Sequence, residues 1–187
     1  MAFRHLPWLV AAATLLTACG NHGDDMQVFG GDTDIVSHRV TLHDGRVTIK
    51  SPGVPDAVVD ADGQLSIDGH DVAVNDAQRA LLKSYNAAAQ TMRADALATG
   101  KAGVATATQA MSAAAGKITG ADNAEATKAK VEAAAQGVKQ AAAKICDDLA
   151  AMKATQDQLA TQLDAFKPYA DALANSNVER CREHTAH

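Results

Sequence analysis

The stretch VEAAAQGVKQAAAKICDDLAAMKATQDQLATQLDAF, residues 131–166, decides the fold of this chain. Its apolar residues recur in alternating steps of four and three, which is the heptad pattern of helices that pack side by side. Gln156 is the one polar residue in this row, and we expect Pro168 to end the helix. The pattern therefore predicts one long, rod-like helix with these apolar positions: Val131, Ala135, Val138, Ala142, Ile145, Leu149, Met152, Leu159, Leu163 and Phe166.

A second helical stretch precedes this one and begins at a capping box. Asn75 and Gln78 have the spacing at which two side chains satisfy the free N–H groups of a helix start. The stretch ends near Gly120, and Asp122-Asn-Ala-Glu125 then opens the rod-like helix with a further capping box. In the distal part of the first helix, the large apolar residues are spaced by seven: Leu97, Val104, Met111 and Ile118.

A chain reversal near Gly120 predicts that the two helices form an antiparallel hairpin. Counting outward from this reversal brings large residues of one helix opposite large residues of the other. Gln156 comes opposite Tyr85, and we expect it to contact the tyrosine hydroxyl. The other predicted pairs are Met111 with Val131, Val104 with Val138, Leu97 with Ile145, Met92 with Leu149, and Leu82 with Leu159.

Short β runs separated by turn dipeptides occupy residues 34–74. Asp44-Gly45, Asp62-Gly63 and Asp68-Gly69 tolerate the positive φ angles that tight hairpin turns require. The runs at residues 40–42, 47–49, 57–59, 64–67 and 72–74 predict a small antiparallel meander with one buried face. The predicted fold class is therefore α+β: a small N-terminal antiparallel β-meander, then a long Ala-rich helical hairpin of coiled-coil type, then a short C-terminal segment that folds back.

The N-terminus carries a secretion and lipidation signal. Arg4 precedes an apolar run at residues 6–16, which is much shorter than a membrane-spanning helix. Leu16-Thr17-Ala18-Cys19 resembles the bacterial lipobox, which implies cleavage before Cys19 and acylation of its thiol. We therefore expect a lipoprotein signal peptide at residues 1–18 and a flexible tether at residues 19–33, ahead of a β head at 34–74 and the helical part at 75–187. The alternative is an ordinary cleaved signal with a coincidental cysteine.

The remaining cysteines, Cys146 and Cys181, are an even pair in a chain that we expect to be exported. Such pairs are normally disulfide-bonded in an oxidising compartment. Cys181 reaches Cys146 if residues 169–174 are helical and residues 175–181 run extended back along the hairpin. The alternative is two free thiols.

Composition argues against several classes of function. The formal net charge is −5, and no Lys/Arg cluster is interleaved with aromatic residues, so we expect no nucleic-acid partner. The chain has no nucleophile motif and no phosphate-binding glycine loop, so we expect neither an enzyme nor a cofactor. Asp60-x-Asp62-Gly63 matches only part of a calcium loop, and the histidines lack metal-site spacing, so we expect no metal site.

One resemblance covers residues 34–92. Asp34-Ile-Val-Ser-His, the turns Asp62-Gly63 and Asp68-Gly69, and Val74-Asn-Asp-Ala-Gln78 leading to Tyr85 are similar to the YggN-like family of Gram-negative envelope proteins, a domain of unknown function. The resemblance implies an envelope location and a β-rich start followed by a helical remainder. It transfers no catalytic residue.

These observations predict a lipid-anchored cell-envelope protein that acts as a non-catalytic interaction or scaffold module. Gly20 after Cys19 favours the outer membrane, facing the periplasm. Its partners are expected to be the membrane, through the anchor, and an envelope protein or a second copy of the chain in a homo-oligomer. The alternative is a periplasmic ligand- or metal-binding lipoprotein that uses the Asp and His residues of the β head.

Overall fold

The computed structural model describes residues 33–119 and 124–186. It confirms the α+β class, with an antiparallel sheet followed by two long, mutually packed helices and a short C-terminal helix. In chain order the elements are β1 (Thr33–Val36), β2 (Val40–His43), β3 (Arg46–Ile49), β4 (Ala57–Val59), β5 (Leu65–Ile67), β6 (His70–Asp71), α1 (Asp76–Thr119), α2 (Ala124–Gln162), a 3-10 helix (Asp164–Tyr169) and α3 (Asn175–Ala186).

The six strands form a meander in which each strand pairs antiparallel with the next. Asp44 and Gly45 connect β2 to β3 with φ angles of 46° and 73°, as the Asp-Gly signal predicts. Val40 pairs with Ile49 and Leu42 pairs with Val47, and all four side chains are buried on one face. This register confirms the predicted half-buried sheet.

Two strands differ from the predicted runs. β1 was not among them, and β6 covers residues 70–71 instead of 72–74. The turn between β1 and β2 uses Ser37 and His38, both with positive φ, and the His38 N–H donates to Asp34 Oδ1 at 2.8 Å. Neither residue is a usual left-handed residue, so this turn carries no Gly signal in the sequence.

One core unites the sheet with the helices. The buried face of the sheet packs together with Leu82, Tyr85 and Ala89 of α1 and with Met152 and Leu159 of α2. The 3-10 helix closes this core, since Phe166 and Tyr169 are both buried. The core therefore lies around the N-terminal part of α1 and the C-terminal part of α2.

Two buried amides hold the elements around this core in place. Asn86 Nδ2 donates to the carbonyls of Gly45 (2.8 Å) and Val59 (3.0 Å), which ties α1 to the sheet. Gln156 bonds the backbone of the segment after the 3-10 helix, accepting from Leu173 N at 3.1 Å and donating to Leu173 O at 2.9 Å. The expected contact between Gln156 and the Tyr85 hydroxyl is therefore wrong. Among the described residues, that hydroxyl is buried without a hydrogen-bond partner.

The C-terminal path also differs from the prediction. α2 ends at Gln162 rather than at Pro168, because Leu163 leaves the helix with an extended backbone (φ −130°, ψ 102°). The 3-10 helix then includes Pro168, and residues 175–186 form α3 rather than an extended strand. α3 nonetheless returns along α2, and Cys146 and Cys181 form the predicted disulfide, with 5.6 Å between their Cα atoms.

Candidate interaction surface

The outer part of the helical hairpin is open to solvent. We call residues 97–119 of α1 and 124–145 of α2 the distal hairpin. Among its residues with a described side chain, none is buried, although the same two helices bury large side chains nearer the sheet. Val104 is 69% exposed and Met111 is 66% exposed, and they are the exposed large hydrophobic residues of the described chain. This surface is the strongest candidate for a function that requires contact with another molecule.

Two rows of uncharged residues follow α1 through the distal hairpin. The inner row, Gly103, Thr106 and Ala110, is partly buried, and α1 contacts α2 along the hairpin. The outer row is displaced by about 100° around the helix, because successive residues of an α-helix differ by that angle. It has heptad spacing and consists of Leu97, Gly100, Val104, Ala107 and Met111.

The existence of the inner row corrects the predicted pairing of the distal hairpin. Val104 and Met111 do not face Val138 and Val131, because both are exposed while their expected partners are partly buried. The partly buried residues at these levels of α1 are those of the inner row instead. Nearer the sheet, Leu82, Met92, Leu149 and Leu159 are buried as the pairing requires. α1 therefore exposes Val104 and Met111 to solvent and does not bury them against α2.

The outer row continues the side of α1 that the sheet covers. Asn86, which bonds the sheet, and Val104 are separated by five turns of 3.6 residues, so they lie on the same side of the helix. The sheet ends beside Leu97, where a shallow groove of about 130 Å³ lies between Leu42, Gly45 and Leu97. Beyond this point no described element covers the outer row. The apolar row thus extends past the layer that would bury it.

Charge is also distributed unevenly along the distal hairpin. Residues 102–116 of α1, between Lys101 and Lys117, include no charged side chain. α2 carries both signs at the same levels, for example the exposed pair Lys128 and Glu132, whose Nζ and Oε1 atoms are 3.8 Å apart. Depletion of charge is a compositional feature of interface cores. The outer row of α1 therefore has the character of an interface, and the exposed side of α2 has the character of a solvated surface.

A polar cluster marks the border between the distal hairpin and the core. Lys144 Nζ of α2 lies 2.9 Å from Asp95 Oδ2 of α1, and its hydrogen bond lowers the pKa of Asp95. Burial raises the pKa of the neighbouring Asp148, and its hydrogen bond to Asp95 raises it further. The cluster fixes the level at which the two helices meet. Within the described chain, no group of three His, Cys, Asp or Glu residues could hold a metal ion.

Asp60 and His38, two of the Asp and His residues of the β head, have protein partners at its turns. Asp60 Oδ1 accepts hydrogen bonds from the backbone N–H groups of Asp62 (2.9 Å) and Gln64 (2.8 Å), which is a turn-capping role. His38 Nδ1 lies 3.0 Å from Asp34 Oδ2. These contacts account for the partial calcium-loop pattern without a ligand.

The comparison with protein families matches residues 35–130 to a model described as "Protein of unknown function (DUF2884)". The chain belongs to the DUF2884 family. The match includes the sheet from Ile35, all of α1 and the first residues of α2, so it contains the whole outer row of α1. Cys146 and Cys181 lie outside it. Searches of the curated proteins and of the solved structures found no match.

Several sequence predictions about this DUF2884 protein fall outside the described residues. They are the signal peptide at residues 1–18, the lipidation site Cys19, the tether up to residue 32 and the capping box that begins at Asp122. Of the helices that the structure describes, none has both the length and the apolar character needed to cross a membrane. Sequence reasoning missed the outer row as a separate surface. Its signal was the seven-residue spacing of Leu97, Val104 and Met111, which we assigned to the contact with α2.

Proposed function

We propose that this protein is a lipid-anchored protein of the cell envelope whose distal hairpin is a non-catalytic interaction arm. The observation that carries the proposal is the outer row of α1, where Val104 and Met111 are more than half exposed. Exposure of one apolar residue is ordinary, but a heptad row on an uncharged helix surface is what a partner helix packs against. The arm extends this surface away from the sheet, where it is accessible.

The envelope location rests on the sequence at the N-terminus. Leu16-Thr17-Ala18-Cys19 supports cleavage before Cys19 and acylation of the new N-terminus, and the similarity to the YggN-like envelope proteins supports the same location. A multiply acylated cysteine would hold the chain at a membrane stably, since each buried CH₂ contributes about 0.8 kcal/mol. Gly20 supports placement in the outer membrane, facing the periplasm.

Site-specific photocrosslinking tests the interaction arm. A photoreactive amino acid replaces Val104 in the full chain, and the matched control carries it at Ala133, an exposed residue of α2 outside the outer row. We expect a discrete higher-mass product from position 104 and none from position 133. Equal products at both positions, or no product at either, would contradict the proposal.

Intact-protein mass spectrometry of membrane-extracted material tests the anchor separately. We expect a chain that begins at Cys19 and carries the mass of acyl groups, and we expect a Cys19→Ser variant to lose both the modification and the membrane association. An unmodified chain in the membrane fraction would remove the anchor from the proposal and leave the arm to be judged by crosslinking.

A further inference from the structure

We infer that the partner of the interaction arm is a second copy of this chain, and that two distal hairpins pack face to face and antiparallel, with α1 against α1 at the centre of the contact. This inference rests on the proposed function, because it names the molecule that covers the outer row.

The two rows of α1 have the geometry of a helix bundle. α1 contacts α2, its inner row is partly buried, and the outer row lies about 100° further around the same helix. A helix in a four-helix bundle contacts two neighbours on adjacent faces, and its core-facing positions form two such rows. α1 therefore has one neighbour in its own chain and a second apolar face prepared for another helix.

The uncovered face has the size that a dimer needs. At about 1.5 Å per residue, residues 97–119 extend over about 33 Å, and two helices about 10 Å apart present a face about 20 Å wide. The product, about 650 Å² on each copy, falls within the roughly 600 to 1,000 Å² per partner of specific interfaces, with the outer row of α1 as its apolar part and the charged side of α2 as a polar rim. A lone helix laid on the outer row would cover about half of this area.

The sheet decides the orientation of the two copies. It lies on the same side of α1 as the outer row and ends beside Leu97. In a parallel face-to-face arrangement the two sheets would occupy the same level and collide. In the antiparallel arrangement the end of each α1 at Thr119 lies where the sheet of the other copy begins. The same two-fold axis places α1 on α1 and α2 on α2, which is an isologous contact.

The length of the uncovered helix sets the register. α1 is uncovered from Leu97 to its end at Thr119, so an overlap that is one residue short of complete brings Leu97 level with residue 118 of the second copy. Val104 then lies level with Met111 of the second copy, and Met111 lies level with its Val104. The uncharged residues 102–116 come to lie mostly against the same residues of the other copy. Because the outer row carries no charges, it offers no ion pairs that would select a charged partner. It is compatible with the same uncharged row of a second copy along its whole length.

Cysteine crosslinking of the full chain in its membrane tests both the partner and the register. Two differently tagged copies are expressed together, one with Val104→Cys and the other with Met111→Cys. We expect a reduction-sensitive mixed dimer at least fivefold above the background of chains that carry only the natural cysteines. Either variant expressed alone should remain near background, because like positions are seven residues, or about 10 Å, apart along the axis and a disulfide needs Cα atoms within about 7 Å.

The matched control pairs Met111→Cys with Ala133→Cys, which faces away from the contact and should remain at background. Strong dimers from Val104→Cys alone and from Met111→Cys alone would overturn the antiparallel arrangement. A mixed dimer no more abundant than the control would overturn the second copy as partner. In that case photocrosslinking at position 104 tests the interaction arm separately from the second copy. A product with a different protein would support the interaction arm with another partner, and the absence of a product would contradict the interaction arm as well. Melting curves that match the parent chain show that each variant is folded.

Discussion

The same two helices behave differently at their two ends. Residues 76–96 of α1 and 146–162 of α2, which we call the covered half, bury Leu82, Tyr85, Met152 and Leu159 completely, whereas the distal hairpin buries none of its described side chains. The sheet, the 3-10 helix and α3 all pack on the covered half. Two Ala-rich helices in contact leave most of their surface in water, so a third layer is required to form a core.

Removal of the disulfide is expected to have the largest effect on stability, because this bond holds α3 on the covered half. Cys146 and Cys181 are 35 residues apart in sequence, and closing a loop of this length contributes about 4 kcal/mol on the chain-entropy model. We expect Cys146→Ser with Cys181→Ser to lower the free energy of unfolding by about that amount in urea titrations. Reducing the parent chain should cause the same loss. A loss below about 1 kcal/mol would show that α3 does not depend on this bond.

Substitution of one methionine in each region compares the burial of the covered half with that of the distal hairpin directly. Met152 is fully buried in the covered half and Met111 is 66% exposed in the distal hairpin. We expect Met152→Ala to cost about 3 kcal/mol of unfolding free energy, because it leaves a cavity. At concentrations low enough for the chain to be monomeric, Met111→Ala should change it by less than about 0.5 kcal/mol. Similar losses for the two variants would mean that the distal hairpin is buried in the isolated chain, contrary to this comparison.

Two tyrosines separate the contribution of a satisfied hydroxyl from that of an unsatisfied one. Tyr169 Oη donates to the carbonyl of Pro55 at 2.7 Å, whereas Tyr85 Oη is buried and has no partner among the described residues. Burial raises the pKa of the Tyr85 hydroxyl well above its usual value, so it is neutral at every relevant pH. We expect Tyr169→Phe to cost about 1 kcal/mol and Tyr85→Phe to be neutral or stabilising by up to about 1 kcal/mol. A comparable loss from both variants in thermal or urea unfolding would indicate a partner for Tyr85.

The signals that could be read from the sequence were local ones. Asp-Gly turns located the hairpins, Asn75 and Gln78 located the start of α1, and each bonds the other's backbone N–H at 2.9 Å. The disulfide was predicted from the number of cysteines and from the compartment that we expect for the chain. These inferences succeeded because each depends on neighbouring residues or on a simple count.

The errors concern choices that depend on the third layer. A heptad row indicates that a helix has an apolar face, but it does not indicate which neighbouring element packs on that face. Leu97, Val104 and Met111 were therefore assigned to α2, although Val104 and Met111 are exposed. The partner of Gln156 was missed for the same reason. The chain after Leu163 returns to place backbone groups of Leu173 against the amide, a path with no local signal.

The smallest expected effect concerns Asp148, at the border between the two ends. Burial is the main cause that raises its pKa, and the hydrogen bond and negative charge of Asp95 act in the same direction. A carboxyl group whose pKa is higher in the folded protein than in the unfolded one destabilises the fold when it is charged, and this penalty disappears as the pH falls. Asn at this position carries no charge and its amide can still donate to Asp95.

We therefore expect Asp148→Asn to be more stable than the parent chain at pH 7, by less than about 1 kcal/mol because the group is partly exposed and screened by solvent. The difference should shrink as the pH falls through the raised pKa of Asp148 and the parent chain takes up its proton. The lowered pKa of Asp95 acts with the opposite sign, since its contribution is lost in acid, but Asp95 is present in both proteins. Asp147→Asn is the matched control, because Asp147 is exposed, its Oδ1 lies 3.7 Å from Arg182 in a surface ion pair, and its charge is the smallest of the causes that raise the pKa of Asp148. Urea titrations from pH 7 to pH 4 that show no convergence of Asp148→Asn with the parent chain would mean that the pKa of Asp148 is not raised in the folded protein.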